Sequence, residues 1–161
     1  MKAVLVALAV ALGLTGPVAA GPYEDAEAAY DKGDFATALR LWRPLAEQGD
    51  ALAQSNLGIM YAKGEGVPQD YAAAVKWYRL AADQGVAAAQ HNLGFMYANG
   101  RGVPQDYVQA HKWWNLAAVA GDKDAIKNRD IVAGKMTPAQ IAEAQKLARE
   151  WKPKRRIRAM P

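Results

Sequence analysis

The 161-residue chain contains no cysteine. That excludes a disulfide framework, a thiolate metal site, a cysteine nucleophile and a lipid-modified N-terminal cysteine. Histidine is almost as scarce. His91 and His111 are the only two, and neither stands in an H-x-x-x-H or H-E-x-x-H arrangement, so no zinc site is expected. No G-x-S-x-G or Walker sequence occurs. Gly64-Glu65-Gly66 and Gly100-Arg101-Gly102 follow helical segments, not strands, which makes them turn glycines and not phosphate cradles. With no side chains spaced for chemistry, the chain is expected not to be an enzyme. It is expected to take no metal, no organic cofactor and no small-molecule substrate.

Disorder is excluded by composition, since hydrophobic residues make up 52% of the chain and charged residues an ordinary 22%. The first twenty residues read as a targeting segment. Lys2 gives a positive start, residues 3–14 are an unbroken apolar or small run, and Gly16 and Pro17 break it before Val18-Ala19-Ala20. Cleavage is expected after Ala20, and the protein to be exported to the periplasm or beyond. An uncleaved anchor is the alternative, although a spanning helix wants about 20 apolar residues. Residues 21–151 carry 14 basic and 16 acidic side chains, whereas residues 152–161 carry five basic and none acidic. The basic character of the chain therefore sits in a tail. The folded body is near neutral and, lacking interleaved aromatic and basic residues, is not expected to bind nucleic acid.

A tandem repeat dominates the chain. Residues 51–86 align without a gap on 87–122, with 23 identities over 36 positions. The shared skeleton is A-x-A-Q-x-N-L-G-x-M-Y-A-x-G-x-G-V-P-Q-D-Y-x-x-A-x-K-W-x-x-L-A-A-x-x-G. Each unit reads as two helices. The first spans 51–62, and again 87–98, and ends at Gly64 or Gly100. Two glycines and a proline then keep either helix from running through the loop. Asp70 and Asp106 stand where an N-cap belongs and are read as caps, not catalytic carboxylates. The second helix carries Ala74, Trp77, Tyr78, Ala81 and Ala82 on one wide apolar face, copied as Ala110, Trp113, Trp114, Ala117 and Ala118. Small residues such as Ala53, Gly58 and Ala74 let helices approach, and large ones beside them fill the gaps. The spacing of Trp42, Trp77, Trp113, Trp114 and Trp151 favours core packing over sugar or base platforms.

Degenerate units flank the two copies. Residues 21–49 repeat the second-helix pattern 36 residues early through Ala38, Leu41, Trp42, Leu45 and Ala46, with Pro44 expected to kink that helix. Residues 124–133 supply a further helix. Thr137-Pro138-Ala139-Gln140 reads as a capped start for a last helix over 138–151. Residues 123–151 are thus expected to form a capping hairpin, followed by the basic tail.

The pattern A-x-x-x-L-G-x-x-Y, then G-x-G-V-x-x-D-x-x-x-A-x-x-W and A-A-x-x-G, stands at 53–85 and 89–121. It resembles the Sel-one-like repeat family, relatives of the tetratricopeptide repeat. The first hairpin is closer to a tetratricopeptide unit, and Met136-Thr137-Pro138 is similar to the end segment of bacterial members. The resemblance implies an all-α, right-handed α-solenoid of about four helical hairpins with a concave groove. It also implies an adaptor or scaffold that assembles protein complexes.

If the solenoid follows its relatives, the first helix of each unit lines the concave side. The groove stripe is then Ser55, Asn56, Ile59 and Lys63, with Leu52, in one unit. In the next it is His91, Asn92, Phe95 and Asn99, with Ala88. Asn56 and Asn92 recur, and an amide that donates and accepts together suits the backbone of an extended peptide. The alternative is that both asparagines tie neighbouring elements together. Ile59 and Phe95 are expected as apolar anchors, with plain packing as the alternative. Lys152, Lys154, Arg155, Arg156 and Arg158 follow or flank Pro153, which stops the helix, so this segment is expected to be flexible and could hold an anionic membrane or cell-wall surface. The expected function is a protein-interaction scaffold of the bacterial envelope, holding an unidentified protein partner. The alternative is an envelope-surface binder that uses the tail. Positions where the copies differ, such as Ser55/His91 and Lys63/Asn99, are where specificity is expected.

Overall fold

Five aspartates and one threonine decide where most helices begin. Asp34, Asp50, Asp70, Asp106 and Asp122 each accept a hydrogen bond from the backbone N–H three residues on, at 2.8–3.1 Å. Such caps satisfy amides that have no partner inside the helix. Thr137 and Gln140 form a reciprocal capping box. The computed structural model describes residues 21–154. The expected targeting segment, with its cleavage point, and Arg155, Arg156 and Arg158 of the tail lie outside the described residues.

Among the described residues there are eight helices and no strands. They are α1 (Pro22–Asp31), α2 (Phe35–Glu47), α3 (Ala51–Lys63), α4 (Tyr71–Asp83), α5 (Ala87–Asn99), α6 (Tyr107–Val119), α7 (Lys123–Ala133) and α8 (Pro138–Glu150). Successive helices pack from α1 through α7, and α3 also touches α5 directly. The result is a helical-repeat solenoid in which the first helices of the units share one side. Helix α2 runs through Pro44 without ending. Gly64 and Gly100 take the left-handed conformation after α3 and α5, as a C-terminal glycine should.

The repeat period is visible in the packing. Trp42, Tyr78 and Trp114 stand 36 residues apart and are all buried. Gly58 and Gly94, on the partner helix of each full hairpin, give the last two rings their space. A methyl at Gly94 would stand 2.8 Å from Cδ1 and Nε1 of Trp114, and one at Gly58 would collide with the ring of Tyr78. Gln54 and Gln90, also one period apart and buried, donate from Nε2 to the carbonyls of Ala46 and Ala82. Each glutamine thereby locks a unit onto the last turn of the one before it. Of the five tryptophans, Trp42, Trp113 and Trp114 are buried, whereas Trp77 and Trp151 are half-buried at the margins of the apolar clusters.

Two expectations fail at the C-terminal end. Helices α7 and α8 do not form a hairpin, because both pack on α6 and hardly on each other. The repeat register explains this. It places Arg129 where Leu57 and Leu93 fill the core, and Asp130 where Gly58 and Gly94 admit a ring. Helix α7 therefore offers no apolar seat for a helix of its own. Helix α8 lies instead on α6, with Ala144 and Ala148 buried. The second failure is the expected flexibility at the start of the tail. Trp151 packs edge-on against Trp113, with ring centroids 6.5 Å apart, and lies over Gly85. Lys154 then donates from its backbone N–H to the carbonyl of Asp83 at 2.7 Å and from Nζ to the Asp83 carboxylate at 2.6 Å. Pro153 does end the helix, but the chain beyond it folds back onto the end of α4 before the described residues stop.

His111 is the repeat counterpart of Val75 and is buried in α6, with no hydrogen-bond partner for Nδ1 among the described residues. Desolvation holds its pKa below the ordinary 6.5, reinforced by Arg129 and opposed by Asp130. A histidine depressed in the folded state binds its proton more readily once unfolded. Its contribution is whole above about pH 6.5 and is lost as the pH falls below that value. His111→Val, which restores the residue of the preceding repeat, is expected to reduce the loss of urea midpoint between pH 7.5 and pH 5. A variant as acid-sensitive as the parent would place the titrating group elsewhere.

Candidate binding groove

The groove stripe is longer than the two copies suggest. Extending the 36-residue register into α7 gives three rows: Asn56, Asn92 and Asn128; Ile59, Phe95 and Ile131; Lys63, Asn99 and Lys135. Sequence reasoning missed the third set because α7 is too divergent to align by identity. The unbroken period was the signal that would have found it.

The middle row is apolar and accessible. Phe95 is 40% exposed and Ile131 56%, while Ile59 is half-buried. Ile59 packs against the core, but leaving Phe95 and Ile131 in water, in register on successive units, is what a binding surface needs and what stacking alone does not. Two clefts open along this row. One, of about 180 Å³, is lined by Glu27, Tyr30, Asp31, Trp42, Asn56 and Ile59, between α1, α2 and α3. The other, of about 220 Å³, lies between α5, α6 and α7 and includes Phe95, Asn99, Tyr107, Asn128, Ile131 and Lys135. The sequence-derived stripe thus falls in two clefts and not in one continuous trough, because α3 and α5 touch between them.

Other expected residues divide. Asn56 donates to the hydroxyl of Tyr23 at 3.0 Å and so ties α3 to α1. Asn92 is half-buried and makes no side-chain hydrogen bond to the described residues. The asparagine row therefore does structural work at one end and keeps its amide available in the middle. Lys63 donates to the Tyr30 hydroxyl at 3.2 Å, which raises its pKa, and stands 3.7 Å from Glu65. Asn99 donates to the carbonyl of Phe95.

Ser55 is a correction. It is only 4% exposed and points into the stack, since the face carrying Leu57, Gly58 and Met60 is broad enough to take it in. His91 sits at an edge of the stack. Its Nδ1 lies 2.8 Å from Oδ2 of Asp122, the residue that caps α7. Burial raises the pKa of that carboxyl, but the backbone N–H of Ala125 and the His91 ring outweigh it and hold it below the usual carboxylate value. His91 thus ties α5 to the start of α7. Among the described tail residues, Lys152 is exposed and Lys154 is engaged by Asp83.

The model of the Sel1 repeat matches residues 24–50, 51–86 and 87–122, so the first hairpin counts as a repeat of the same type. Two solved structures share the architecture. One, described as c5321, a protective antigen present in uropathogenic Escherichia coli strains displaying an SLR fold, is 33% identical with a TM-score of 0.77. That match covers 81% of this chain and 29% of the other. A Sel1 repeat protein from Oxalobacter formigenes is 42% identical with a TM-score of 0.56, over 57% of this chain and 27% of its own. The chain thus spans less than a third of the length of either. A search of curated proteins finds no match. Sel1 repeats typically serve as protein–protein interaction modules and are generally non-catalytic. With three successive repeats matched over more than half of its length, the chain belongs to the Sel1 repeat family.

Proposed function

We propose that the protein is a non-enzymatic adaptor of the bacterial cell envelope that holds a segment of a protein partner along its concave side. The observation that carries this reading is the apolar row Ile59, Phe95 and Ile131, repeated at the period of the scaffold, of which Phe95 and Ile131 stay exposed while Ile59 is half-buried against the core. Clefts of about 180 and 220 Å³ suit single side chains of a peptide better than a small molecule, whose sites run to about 300–1,000 Å³. Placement in the envelope rests on the leader-like residues 1–20 and is checked by fractionating cells that produce the full chain.

For the alternative use of the basic tail on an anionic surface, one of its five cations, Lys154, already pairs with Asp83. Affinity capture from envelope extracts with the parent protein and with Phe95→Asp plus Ile131→Asp tests the groove. One protein recovered in stoichiometric amount by the parent is expected to drop at least tenfold with the variant. Both side chains are exposed, so the melting temperature is expected to change little. Undiminished capture by a folded variant would place the partner elsewhere.

A further inference from the structure

The two clefts carry opposite charge. Glu27 and Asp31 line the first, with no cationic side chain among its lining residues. Lys135 lines the second, with no carboxylate there. None of these three takes part in an ion pair among the described residues, unlike Lys63, Arg129 and Lys154. Glu27 and Asp31 stand one helical turn apart on α1, where like charges repel. A cation placed between them would relieve that repulsion. At the other end the guanidinium of Arg101 lies 5.3 Å from the centre of the Phe95 ring, which adds positive potential beside an apolar anchor.

We infer that the groove takes an extended peptide segment with a lysine or arginine at one end and, about six residues away, a large apolar side chain beside a carboxylate. This rests on the groove reading above and adds the chemistry of the partner. The spacing follows from the stack. Packed helices lie about 10 Å apart, so two steps from the first cleft to the second span about 20 Å. An extended strand covers that in about six residues at ~3.3 Å each. The cationic end enters beside Glu27 and Asp31. The apolar side chain lies on Phe95 and Ile131, with its neighbouring carboxylate towards Lys135. Between them the amide of Asn92 faces the peptide backbone.

The test is panning a displayed library of random 12-residue peptides against the full chain, followed by fluorescence polarisation of the enriched sequences as synthetic peptides. Enriched peptides are expected to share a basic residue about six positions from an apolar–acidic pair, in either order. Glu27→Lys with Asp31→Lys is expected to weaken them at least tenfold, and replacing the basic residue of the peptide by glutamate to restore binding to that variant. A peptide of residues 152–161 has cations and no acidic side chain. It is expected to bind at least tenfold more weakly, and equal affinity would put the chain's own tail in the groove and overturn the inference. Peptides indifferent to the charge swap and to Lys135→Glu, but lost on Phe95→Asp, would also overturn it while leaving the groove reading intact. Enrichment of nothing, or of peptides that ignore Phe95→Asp, would take down both.

Discussion

Trp114→Ala is expected to cost about 3–5 kcal/mol, the range for removing a large buried aromatic side chain. The ring is buried between α5, α6 and α7 and fills the space that Gly94 leaves open. Its Nε1–H also donates to the carbonyl of His91 at 3.1 Å, so truncation removes a partner from a backbone acceptor as well as apolar area. Domains of this size are stable by about 5–15 kcal/mol. The variant should therefore unfold at a fraction of the urea concentration the parent withstands. Tyr78 at the equivalent place shows that a smaller aromatic is tolerated there, so Trp114→Tyr is expected to lose much less. Equal losses for the two variants would show that a tyrosine ring does no more here than a methyl group, so that the site requires the indole itself.

Gly102→Ala is the second large effect, expected at about 2–5 kcal/mol by urea denaturation. Two costs add. Gly102 has φ +65°, where an L-residue is disfavoured by roughly 1–2 kcal/mol. An added Cβ would also run into the backbone carbonyl of Tyr71, in the first turn of the preceding unit's second helix. Backbone cannot rotate aside as a flexible side chain can, and overpacking of this sort costs about 1–3 kcal/mol. Gly121 is the control. It too has positive φ, but nothing lies within 4 Å of its would-be Cβ. Gly121→Ala should thus show the conformational cost alone. If both glycines lose the same amount, the contact with Tyr71 contributes nothing.

Local rules placed the helices well. Aspartate caps, loop prolines and positive-φ glycines act within a few residues, so the sequence carries them in plain form. The ends of α3 and α5 fall one residue beyond the expected ones, and α8 ends one residue before. What escaped depends on neighbours distant in the chain. Burial of Ser55 reflects how broad a face of α3 its neighbours cover, which helical spacing alone does not state. The failed hairpin at α7 and α8 was legible in principle, since Arg129 and Asp130 fall on leucine and glycine positions of the repeat. The expectation of a hairpin came from counting helices, not from asking whether α7 could receive one. The groove divides in the same way. Ile59, Phe95 and Asn92 were placed on one stripe by periodicity, with the side of the stack taken from the family resemblance, whereas the tie from Asn56 to Tyr23 and the charge contrast between the clefts arise only when α1 and α7 are set beside the repeats.

The fold-back of residues 151–154 changes what kind of object the stack is. An open solenoid is a one-dimensional array, in which each unit answers only to its neighbours and the ends fray first. Here Lys154 reaches back 71 residues to Asp83, and Trp151 settles on Trp113 along the way. The exposed ion pair itself is worth little, about 0–1 kcal/mol. Its consequence lies in connectivity, because α5 to α8 become a closed loop whose last helix cannot peel away without opening contacts on α4 and α6 together. Closing so long a loop is entropically slow, so these contacts belong late in folding. Once made, they link the end of α4, α6 and α8, so that the C-terminal half of the stack is coupled beyond nearest neighbours.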